Sequence, residues 1–351
     1  MTTRIGINGL GRIGRNAFRA AAQHPEIEIV AVNDLADSAT LAHLLQYDSV
    51  MGPYPGTIVL DGDAITAGGQ CIRVLGEKEP GKLPWAALGV DLVLECTGAF
   101  TDATKARAHI DKGGARKVIL SAPGKNEDVT IVRGVNHDRY VADRHHVISN
   151  ASCTTNCLAP VVKVLKDRFG VESGIMTTVH AYTSSQRLLD APHRDLRRAR
   201  AAALSIIPTT TGAVRAMTRV MPELEGKFLG MAIRVPVPNV SLVDVTVVTR
   251  QPVTVDGINT AFSEAAAGTL KDIIAVSNAP LVSVDFMMDP HSAVVDAAST
   301  MVVGDHLAKV LAWYDNEWGY ACRLLDLASF VGAKLAGQAT PQVAVAGRDG
   351  G

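Results

Sequence analysis

The stretch Arg4–Gly14 reads RIGINGLGRIG and decides the fold. Its first half is an apolar-rich run typical of a short β-strand, and its second half places glycines at Gly9, Gly11 and Gly14 in the spacing G-x-G-x-x-G. A helix-like run, residues 12–22, follows at once. Glycines at such a turn permit a tight bend and bring the backbone close to a phosphate, which a helix N-terminus binds. The stretch therefore predicts a Rossmann βαβ unit that binds a dinucleotide.

Asp34 completes this unit, because it ends a second strand-like run at residues 28–33. A carboxylate at this position accepts hydrogen bonds from the adenosine ribose hydroxyls and repels a 2′-phosphate, so it favours NAD over NADP. The alternative is a Gly-rich turn with an Asp that happens to end a strand. The strand–turn–helix context favours the dinucleotide interpretation.

Similar runs alternate over the first 150 residues. Strand-like segments at 91–95, 117–120 and 146–149 predict a parallel, doubly wound α/β sheet. The stretch 48–79 is rich in Gly and Pro and contains short β-like pieces, which predict a small peripheral sheet.

The pattern changes after Thr154. One helix-like run, 154–169, precedes longer strand candidates with few helices between them, which predicts an α+β catalytic domain with a mixed, largely antiparallel sheet. The strand candidates are residues 174–180, 228–237, 241–249, 281–286 and 309–314, and the helix candidates are 256–270 and 319–335.

These patterns divide the chain into four parts. We expect a Rossmann NAD-binding domain at 1–152, a catalytic domain at 153–318, a helix at 319–335 that packs back on the first domain, and a loose tail at 336–351. Cys153 then lies where the two domains meet, and active clefts favour such junctions.

The composition excludes several classes of protein. The chain has 351 residues, 47% of them hydrophobic, and its 34 Lys and Arg nearly balance 35 Asp and Glu. A net charge of −1 gives no bulk attraction to nucleic acid or acidic membranes. No apolar run is long enough for a membrane span, and the strand pattern at the N-terminus argues against a signal peptide. Five scattered cysteines predict reduced thiols, a cytoplasmic location and no structural metal.

Cys153 is the candidate nucleophile. It lies among small polar residues between the strand-like run 146–149 and the helix-like run 154–169. The partial positive charge of a helix N-terminus favours thiolate, so we expect a thiol pKa well below the ordinary value of about 8.5. Cys157, one helical turn later, is expected to be a packing residue, with a role as oxidation partner as the alternative.

His180 is the candidate partner of this thiol, because a thiolate needs a base or a cation that the fold holds beside it. It ends the strand candidate at 174–180. Taken by itself it is more easily explained as a hydrogen-bonded strand-end histidine. The dinucleotide unit and the candidate nucleophile at Cys153 together reverse that preference.

Several motifs now identify a family. The segment ASCTTNCLAP at 151–160 resembles the active-site signature of phosphorylating glyceraldehyde-3-phosphate dehydrogenases. The resemblance begins at RIGING (4–9), continues through IIPTTTG (206–212) and RVPVPN (234–239), and ends at WYDNEWGY (313–320). It covers essentially the whole chain except the tail, and several motifs in the right order make it specific.

The resemblance implies reversible oxidation of D-glyceraldehyde 3-phosphate with NAD and inorganic phosphate to 1,3-bisphosphoglycerate, in glycolysis or gluconeogenesis. Cys153 would add to the aldehyde carbon to give a thiohemiacetal, and hydride transfer would leave an acyl thioester that phosphate attacks. His180 would activate the thiol and serve as acid and base. A homotetramer is expected on the same ground.

The resemblance also implies the binding residues. The substrate phosphate would be bound by Thr183, Arg198 and Arg234, and the attacking phosphate by Ser152, Thr154, Thr211 and Gly212. The cofactor would be bound by Gly9, Gly11, Arg12, Ile13, Gly14, Asp34, Lys78, Thr97, Ser121, Asn316 and Tyr320. The basic run 193–200 by itself suggests a solvated face or a nucleic-acid patch; the resemblance assigns it to a loop beside the cofactor and a subunit interface.

Some positions depart from the family pattern. Asp190-Ala191-Pro192 is a hybrid of NAD-specific and NADP-using members, so NADP stays possible. Residues 289–296 resemble erythrose-4-phosphate dehydrogenase, but Thr183 and Thr211 favour the phosphorylating enzyme. A non-catalytic dinucleotide sensor or RNA-binding protein would not need the Cys153 and His180 pair. A thiol hydrolase would not need the glycine motif, and no nucleic acid is expected as primary partner.

Overall fold

The computed structural model describes residues 2–337 and contains two β-sheets. The strands of the first sheet are β1 (Thr3–Asn8), β2 (Ile27–Asn33), β3 (Val59–Asp61), β4 (Ala64–Ala67), β5 (Gln70–Leu75), β6 (Leu92–Glu95), β7 (Lys117–Leu120), β8 (Val129–Thr130) and β9 (Val147–Ser149). Their order is β3-β4-β5-β2-β1-β6-β7-β9-β8. The helices of this part are α1 (Arg12–Ala20), α2 (Ser38–Gln46), α3 (Ala103–Ala106) and α4 (Ala108–Asp111).

In this spatial order, each pair of neighbouring strands from β5 through β2, β1, β6, β7 and β9 to β8 is parallel. This confirms the predicted doubly wound core. Both faces of the sheet are buried: Leu92 and Leu94 of β6 belong to one apolar core and Val93 to another. The prediction of a small peripheral sheet at 48–79 is wrong. β5 pairs in parallel with β2, so β3, β4 and β5 extend the main sheet. Gly and Pro interrupt that stretch of sequence and break up the pattern of the apolar residues, such as Ile72, that enter the core.

The second sheet follows the loop after β9. Its strands are β10 (Val171–Ala181), β11 (Ile207–Thr210), β12 (Phe228–Val235), β13 (Ser241–Thr249), β14 (Ile274–Ser277), β15 (Ala293–Asp296), β16 (Met301–Val303) and β17 (Leu307–Tyr314). Their order is β11-β12-β10-β13-β17-β15-β14, with β16 paired to β17. The helices are α5 (Cys153–Phe169), α6 (Ala213–Val220), α7 (Val255–Ala267) and α8 (Trp318–Ala336).

This sheet is mixed and largely antiparallel, as predicted: only β10 with β12 and β14 with β15 pair in parallel among the described strands. The strand expected at 281–286 is wrong. Ser283–Phe286 is a 3₁₀ turn, because the carboxylate of Asp285 accepts the backbone N–H of Val282 and closes a turn. The alternating valines there are exposed, and the paired strands lie on either side, at β14 and β15.

The last helix, α8, leaves the second sheet and packs on the first. Its buried residues, among them Leu324, Leu325 and Val331, share an apolar core with β1 and α1. The fit is close: a Cβ on Gly332 would lie 2.0 Å from Oγ1 of Thr3. Gly337 follows the helix, and from residue 338 onward the predicted tail lies outside the described residues.

One face of the second sheet packs on α5, α6 and α7. On its other face Ile175 of β10 lies opposite Leu229 of β12, and both are more than 60% exposed. This apolar patch extends to Met231. Within residues 2–337 no helix is both long enough and apolar enough to cross a membrane.

Candidate active site

Cys153 is the first residue of α5, and its backbone position is set by the preceding loop. Ser152 is the N-cap, and its Oγ accepts the N–H of Thr155 at 3.1 Å. Ala151 is fully buried and has φ +55°, a left-handed conformation that costs a non-glycine residue about 1–3 kcal/mol. The hydroxyl of Tyr320 donates to the Ala151 carbonyl at 2.9 Å. Tertiary contacts thus hold a strained turn that presents the thiol at a helix N-terminus.

Nε2 of His180 lies 3.5 Å from Sγ of Cys153. His180 is buried at the end of β10, so two elements 27 residues apart bring the sulfur and the ring together. Its other ring nitrogen, Nδ1, lies 2.7 Å from the carbonyl oxygen of Ala181 and 2.8 Å from Nη1 of Arg234. A guanidinium can only donate, whereas a carbonyl can only accept, so these two neighbours favour opposite ring tautomers.

The two reactive groups have shifted pKa values. Burial lowers the pKa of His180 to about 3, and the charges of Arg234 and Arg198 lower it as well. Burial raises the pKa of the Cys153 thiol, against the charge of Arg234 and the hydrogen bonds of Thr154. The sequence-based expectation of a lowered thiol pKa is therefore wrong for this arrangement, because it counted the helix N-terminus and not the burial of the sulfur.

A cavity of about 230 Å³ surrounds this pair. It brings together many of the residues predicted from the sequence, from both halves of the chain. The predicted residues that line it are Arg12, Ile13, Ser121, Ser152, Cys153, His180, Thr183, Asn316 and Tyr320; Ala122, Pro123, Ser184 and Glu317 line it too and were not predicted.

The residues predicted to bind the substrate phosphate lie near His180. Arg198 and Arg234 are close enough that the charge of Arg198 adds to burial in lowering the pKa of Arg234. Nε of Arg198 donates to Oγ1 of Thr209 at 2.9 Å, and Oγ1 of Thr183 lies 2.9 Å from Oγ of Ser185.

The residues predicted for the attacking phosphate lie at two helix N-termini. Gly212 is the N-cap of α6 and supplies no side-chain cap, and Oγ1 of Thr211 accepts the N–H of Ala213. Thr154 follows Cys153 in α5; its side chain is buried, and its hydroxyl is hydrogen-bonded to that of Tyr314 at 2.9 Å.

A second cavity, about 420 Å³, lies at the carboxyl ends of β1, β2 and β6. Of the residues predicted to bind the cofactor, those that line it are Gly9, Gly11, Asp34, Lys78 and Thr97. The others found there are Asn8, Asn33, Leu35, Glu77, Cys96, Ala99 and Phe100. Asn8 and Asn33 could have been predicted from the sequence, because each is a polar residue at the end of an apolar strand-like run.

The backbone at this cleft fits a dinucleotide. Gly9 has φ +97°, and a Cβ there would lie 2.7 Å from the Thr97 nitrogen, whereas a Cβ on Gly14 would lie 1.9 Å from the Gly9 carbonyl oxygen. Gly11 has nothing within 4 Å of its Cβ position, so the backbone there is open to a ligand. As N-cap of α1 it provides no side-chain cap, and the first turn holds no acidic residue. The backbone N–H groups in the first turn of α1 therefore have no capping acceptor and suit a pyrophosphate.

Asp34 lies beside the glycine turn with both carboxylate oxygens engaged. Its Oδ2 accepts the N–H of Leu10 at 2.7 Å, and its Oδ1 accepts those of Leu35 and Ala36. A carboxylate has about four acceptor positions. Three backbone donors therefore fix the carboxylate and leave about one acceptor position for a ribose hydroxyl.

Arg12 and Asn316 are held by partners that the sequence did not indicate. The Arg12 guanidinium forms ion pairs with Asp48 and Glu317, which raise its pKa even though burial lowers it. The Asn316 amide is oriented by Ser241, whose Oγ donates to Asn316 Oδ1 at 2.8 Å. The NH₂ group of Asn316 is thus the part left for a ligand.

Within residues 2–337, no three His, Cys, Asp or Glu side chains are placed to hold a metal ion. All five cysteines are free thiols. Cys157 is fully buried, Cys322 is buried, Cys71 is exposed, and Cys96 faces the second cavity.

Comparisons with known proteins agree with this geometry. Residues 3–103 match the family described as glyceraldehyde 3-phosphate dehydrogenase, NAD binding domain, and residues 152–316 match the C-terminal domain of the same enzyme. The chain is 57% identical to glyceraldehyde-3-phosphate dehydrogenase 1 of Streptomyces avermitilis over 95% of this chain and 100% of that protein. It is 56% identical to the Geobacillus stearothermophilus enzyme of that name, over 95% of this chain and 99% of the other.

Proposed function

Because the chain belongs to the glyceraldehyde-3-phosphate dehydrogenase family, we propose that Cys153 and His180 perform its reaction in the cavity that they line. The activity is the reversible oxidative phosphorylation of D-glyceraldehyde 3-phosphate to 1,3-bisphosphoglycerate, with NAD as cofactor. The observation that carries the residue assignment is the 3.5 Å contact between Sγ and Nε2 at the N-terminus of α5.

In the first step, Sγ of Cys153 bonds to the aldehyde carbon and the thiol proton passes to Nε2 of His180. The carbonyl oxygen then takes that proton, which gives a thiohemiacetal. Nε2 next removes the hydroxyl proton as hydride leaves the same carbon, and an acyl thioester remains on Cys153. Bound NAD supplies the hydride acceptor. Inorganic phosphate then attacks the thioester carbon, and the sulfur leaves as the thiolate.

Arg234 links substrate binding to the state of His180. While its guanidinium donates to Nδ1, the ring proton belongs on Nε2, where it blocks proton transfer from the thiol. A substrate phosphate that draws Arg234 away leaves Nδ1–H to donate to the Ala181 carbonyl. Nε2 then faces Cys153 as a base, so the base is formed when the phosphorylated substrate arrives.

We propose two anion sites beside Cys153 and His180. We assign the substrate phosphate to Arg198, Arg234 and Thr183, because two guanidinium groups and a hydroxyl converge beside His180. The attacking phosphate is assigned to the N-terminus of α6, where the N-cap Gly212 supplies no side chain and Thr211 precedes it, and to Ser152 and Thr154 at the start of α5.

The cofactor assignment extends across both cavities. The pyrophosphate is assigned to the backbone from Gly9 to Gly14 with Ile13, the ribose to Asp34 and the adenine side to Lys78. The nicotinamide end is assigned to the cavity of Cys153, which Arg12, Ser121, Asn316 and Tyr320 line. Thr97 lines the neighbouring cleft and is assigned to the part of the cofactor between the two ends. The fixed carboxylate of Asp34 supports a preference for NAD over NADP, and NADP remains a slower alternative.

We also propose a role for each part of the chain, a location and the absence of one class of partner. Residues 1–152 bind the cofactor, residues 153–318 carry the chemistry, and the helix from 319 belongs with the first part. The five free thiols support a cytoplasmic location. No nucleic acid is proposed as primary partner.

A homotetramer is proposed as the assembly. Exposed apolar side chains that a monomer would leave in water support it: Leu188, Leu189, Leu196, Leu204, Ile206 and Leu229 are each at least 70% exposed. Sedimentation velocity on the full chain tests this proposal, and a monomer at micromolar concentration would contradict it.

Steady-state kinetics test the catalytic assignment. We expect reduction of NAD that requires glyceraldehyde 3-phosphate and inorganic phosphate, with NADP slower. Cys153→Ser is expected to form no NADH while it still binds NAD. Normal turnover by this variant would contradict the mechanism, and phosphate-independent turnover that favours erythrose 4-phosphate would contradict the substrate assignment.

A further inference from the structure

A chain of buried polar side chains lies beneath the floor of the cofactor cleft. The adjacent strands β2, β1 and β6 end at Asn33, Asn8 and Glu95, and each of these side chains is at most 3% exposed. Nδ2 of Asn33 donates to Oδ1 of Asn8 at 2.7 Å, and Nδ2 of Asn8 donates to Oε2 of Glu95 at 2.6 Å. Burial of three polar side chains is costly unless each is hydrogen-bonded, as these are.

These hydrogen-bonded side chains reach both walls of the cleft. At one end, the Asn33 amide donates to the carbonyl of Glu77 and accepts its N–H, both at 2.8 Å. At the other end, Oε1 of Glu95 accepts the N–H of Thr97 at 2.9 Å and also its hydroxyl. Glu77 and Thr97 both line the cleft. The hydrogen bonds therefore connect one wall to the other beneath the site.

A third branch enters from the core. The indole N–H of Trp85 donates to Nδ1 of His109 at 2.9 Å, and both residues are fully buried. An indole nitrogen can only donate, so Nδ1 must be unprotonated and the ring proton lies on Nε2. Nε2 lies 3.0 Å from Oε2 of Glu95 and therefore donates to it.

The directions of the bonds described above are thereby fixed. The backbone of Glu77 orients Asn33, Asn33 orients Asn8, and Trp85 orients His109. Glu95 receives donors from Asn8, His109 and both polar groups of Thr97. An ionised carboxylate accepts all four, whereas an amide at this position would place its NH₂ against two other donors.

We propose that Glu95 is a positioning residue for the cofactor. Through Thr97 on one side, and through Asn8 and Asn33 to Glu77 on the other, it holds the two walls of the cleft at the separation that a dinucleotide needs. The inference rests on the proposed assignment of this cleft to NAD. Glu95, Asn8 and His109 are not among the residues lining the Cys153 cavity, so the thiol chemistry does not depend on them directly.

The test is Glu95→Gln in the full chain, with NAD binding measured by titration calorimetry. We expect binding about tenfold weaker, the effect of leaving buried donors without an acceptor, and a KM for NAD raised by the same factor. The KM for glyceraldehyde 3-phosphate, kcat at saturating NAD, and the rate of Cys153 alkylation by iodoacetamide should stay unchanged. Unchanged NAD binding, or weaker NAD binding accompanied by comparable changes in those three other quantities, would overturn the inference.

Two further variants separate positioning from general loosening. Trp85→Phe removes the N–H at the far end of the network and enlarges a buried space, so it should lower the melting temperature with little change in NAD affinity. An effect on NAD binding equal to that of Glu95→Gln would overturn the inference. If Glu95→Gln does not fold, Asn33→Ala cuts only the branch to Glu77; it should weaken NAD binding without raising the KM for the aldehyde, and unchanged NAD binding would count against the inference.

The two proposals fail in different ways. A wild-type chain that does not bind NAD contradicts the cofactor site itself. A wild-type chain that binds NAD as tightly as Glu95→Gln contradicts only the role of Glu95.

Discussion

Nη1 of Arg234 lies 2.8 Å from Nδ1 of His180, so a proposed phosphate ligand and the proposed acid–base residue are in direct contact. The same guanidinium donates to the Ala181 carbonyl at 2.9 Å, which is the other partner of Nδ1. We therefore expect Arg234 to act on the reaction in two ways, as a binding group for an anion and as a neighbour that sets the protonation of the imidazole.

Replacing Arg234 with Gln should move the pH profile of the thiol to higher pH. Burial lowers the pKa of His180 and the charge of Arg234 lowers it further, and the same charge lowers the pKa of Cys153 against the effect of burial. Without the cation both groups keep their protons to higher pH. The measurement is the rate of Cys153 alkylation by iodoacetamide as a function of pH.

Arg197→Gln is the matched control, because it removes an equal charge one residue from Arg198 in an exposed position. Its profile should match that of the wild type. Arg234→Gln should also lower kcat/KM for glyceraldehyde 3-phosphate about tenfold to hundredfold, as expected for lost charge-assisted hydrogen bonds. A wild-type profile in Arg234→Gln would show that Arg234 does not control the pair.

Replacing Asp34 with Asn should shift cofactor preference toward NADP. The substitution removes the charge that repels a 2′-phosphate and weakens the bond to the ribose, so kcat/KM should fall for NAD and rise for NADP. Asp37→Asn serves as the control, because Asp37 is the N-cap of α2, three residues away. An unchanged NAD to NADP ratio in Asp34→Asn would contradict the assignment of the ribose.

Ser241→Ala should lower kcat more than it raises the KM for NAD. The Ser241 hydroxyl accepts the N–H of Ala181 at 3.1 Å and donates to Asn316 at 2.8 Å, so it fixes the amide that we assign to the nicotinamide. A loosely oriented amide should reduce kcat about tenfold, the effect of roughly one lost hydrogen bond. Thr249→Val, at the far end of the same strand, is the control; equal kcat values for the two variants would argue against this role.

Gly332→Ala should destabilise the whole chain. The added Cβ would lie 2.0 Å from Oγ1 of Thr3, and such overpacking costs about 1–3 kcal/mol. Thermal unfolding followed by circular dichroism measures the effect. Ala333→Ser, at the next position on the exposed side of α8, should leave the melting temperature within error of the wild type. A melting temperature unaffected by Gly332→Ala would mean that helix and strand separate at little cost.

The sequence predicted best those features that depend on local backbone requirements. The turn at Gly9, Gly11 and Gly14 could be recognised because a tight approach of strand, helix and loop excludes side chains there. The strands of the first sheet were visible because burial on both faces makes them continuous apolar runs. The start of α5 at Cys153 was visible because a strand pattern and a helix pattern meet there.

Features that depend on distant contacts could not be predicted. The partner Glu317 lies 305 residues from Arg12, and no local pattern indicates which carboxylate a given arginine will meet. The buried branch from His109 to Glu95 requires a helix to pack against a particular strand end. The pKa of the Cys153 thiol depends on how much water the fold removes from it, which the neighbouring residues in sequence do not determine.

The placement of α8 has a consequence for synthesis of the protein. The core that contains β1 and α1 also contains Leu324, Leu325 and Val331, so an early part of the chain is completed by a much later part. On the ribosome, the N-terminal sheet must wait with one apolar face uncovered until residues 318–336 emerge, by which time the second sheet is complete. Loss of α8 would therefore expose the N-terminal sheet to aggregation before any effect on catalysis could be measured.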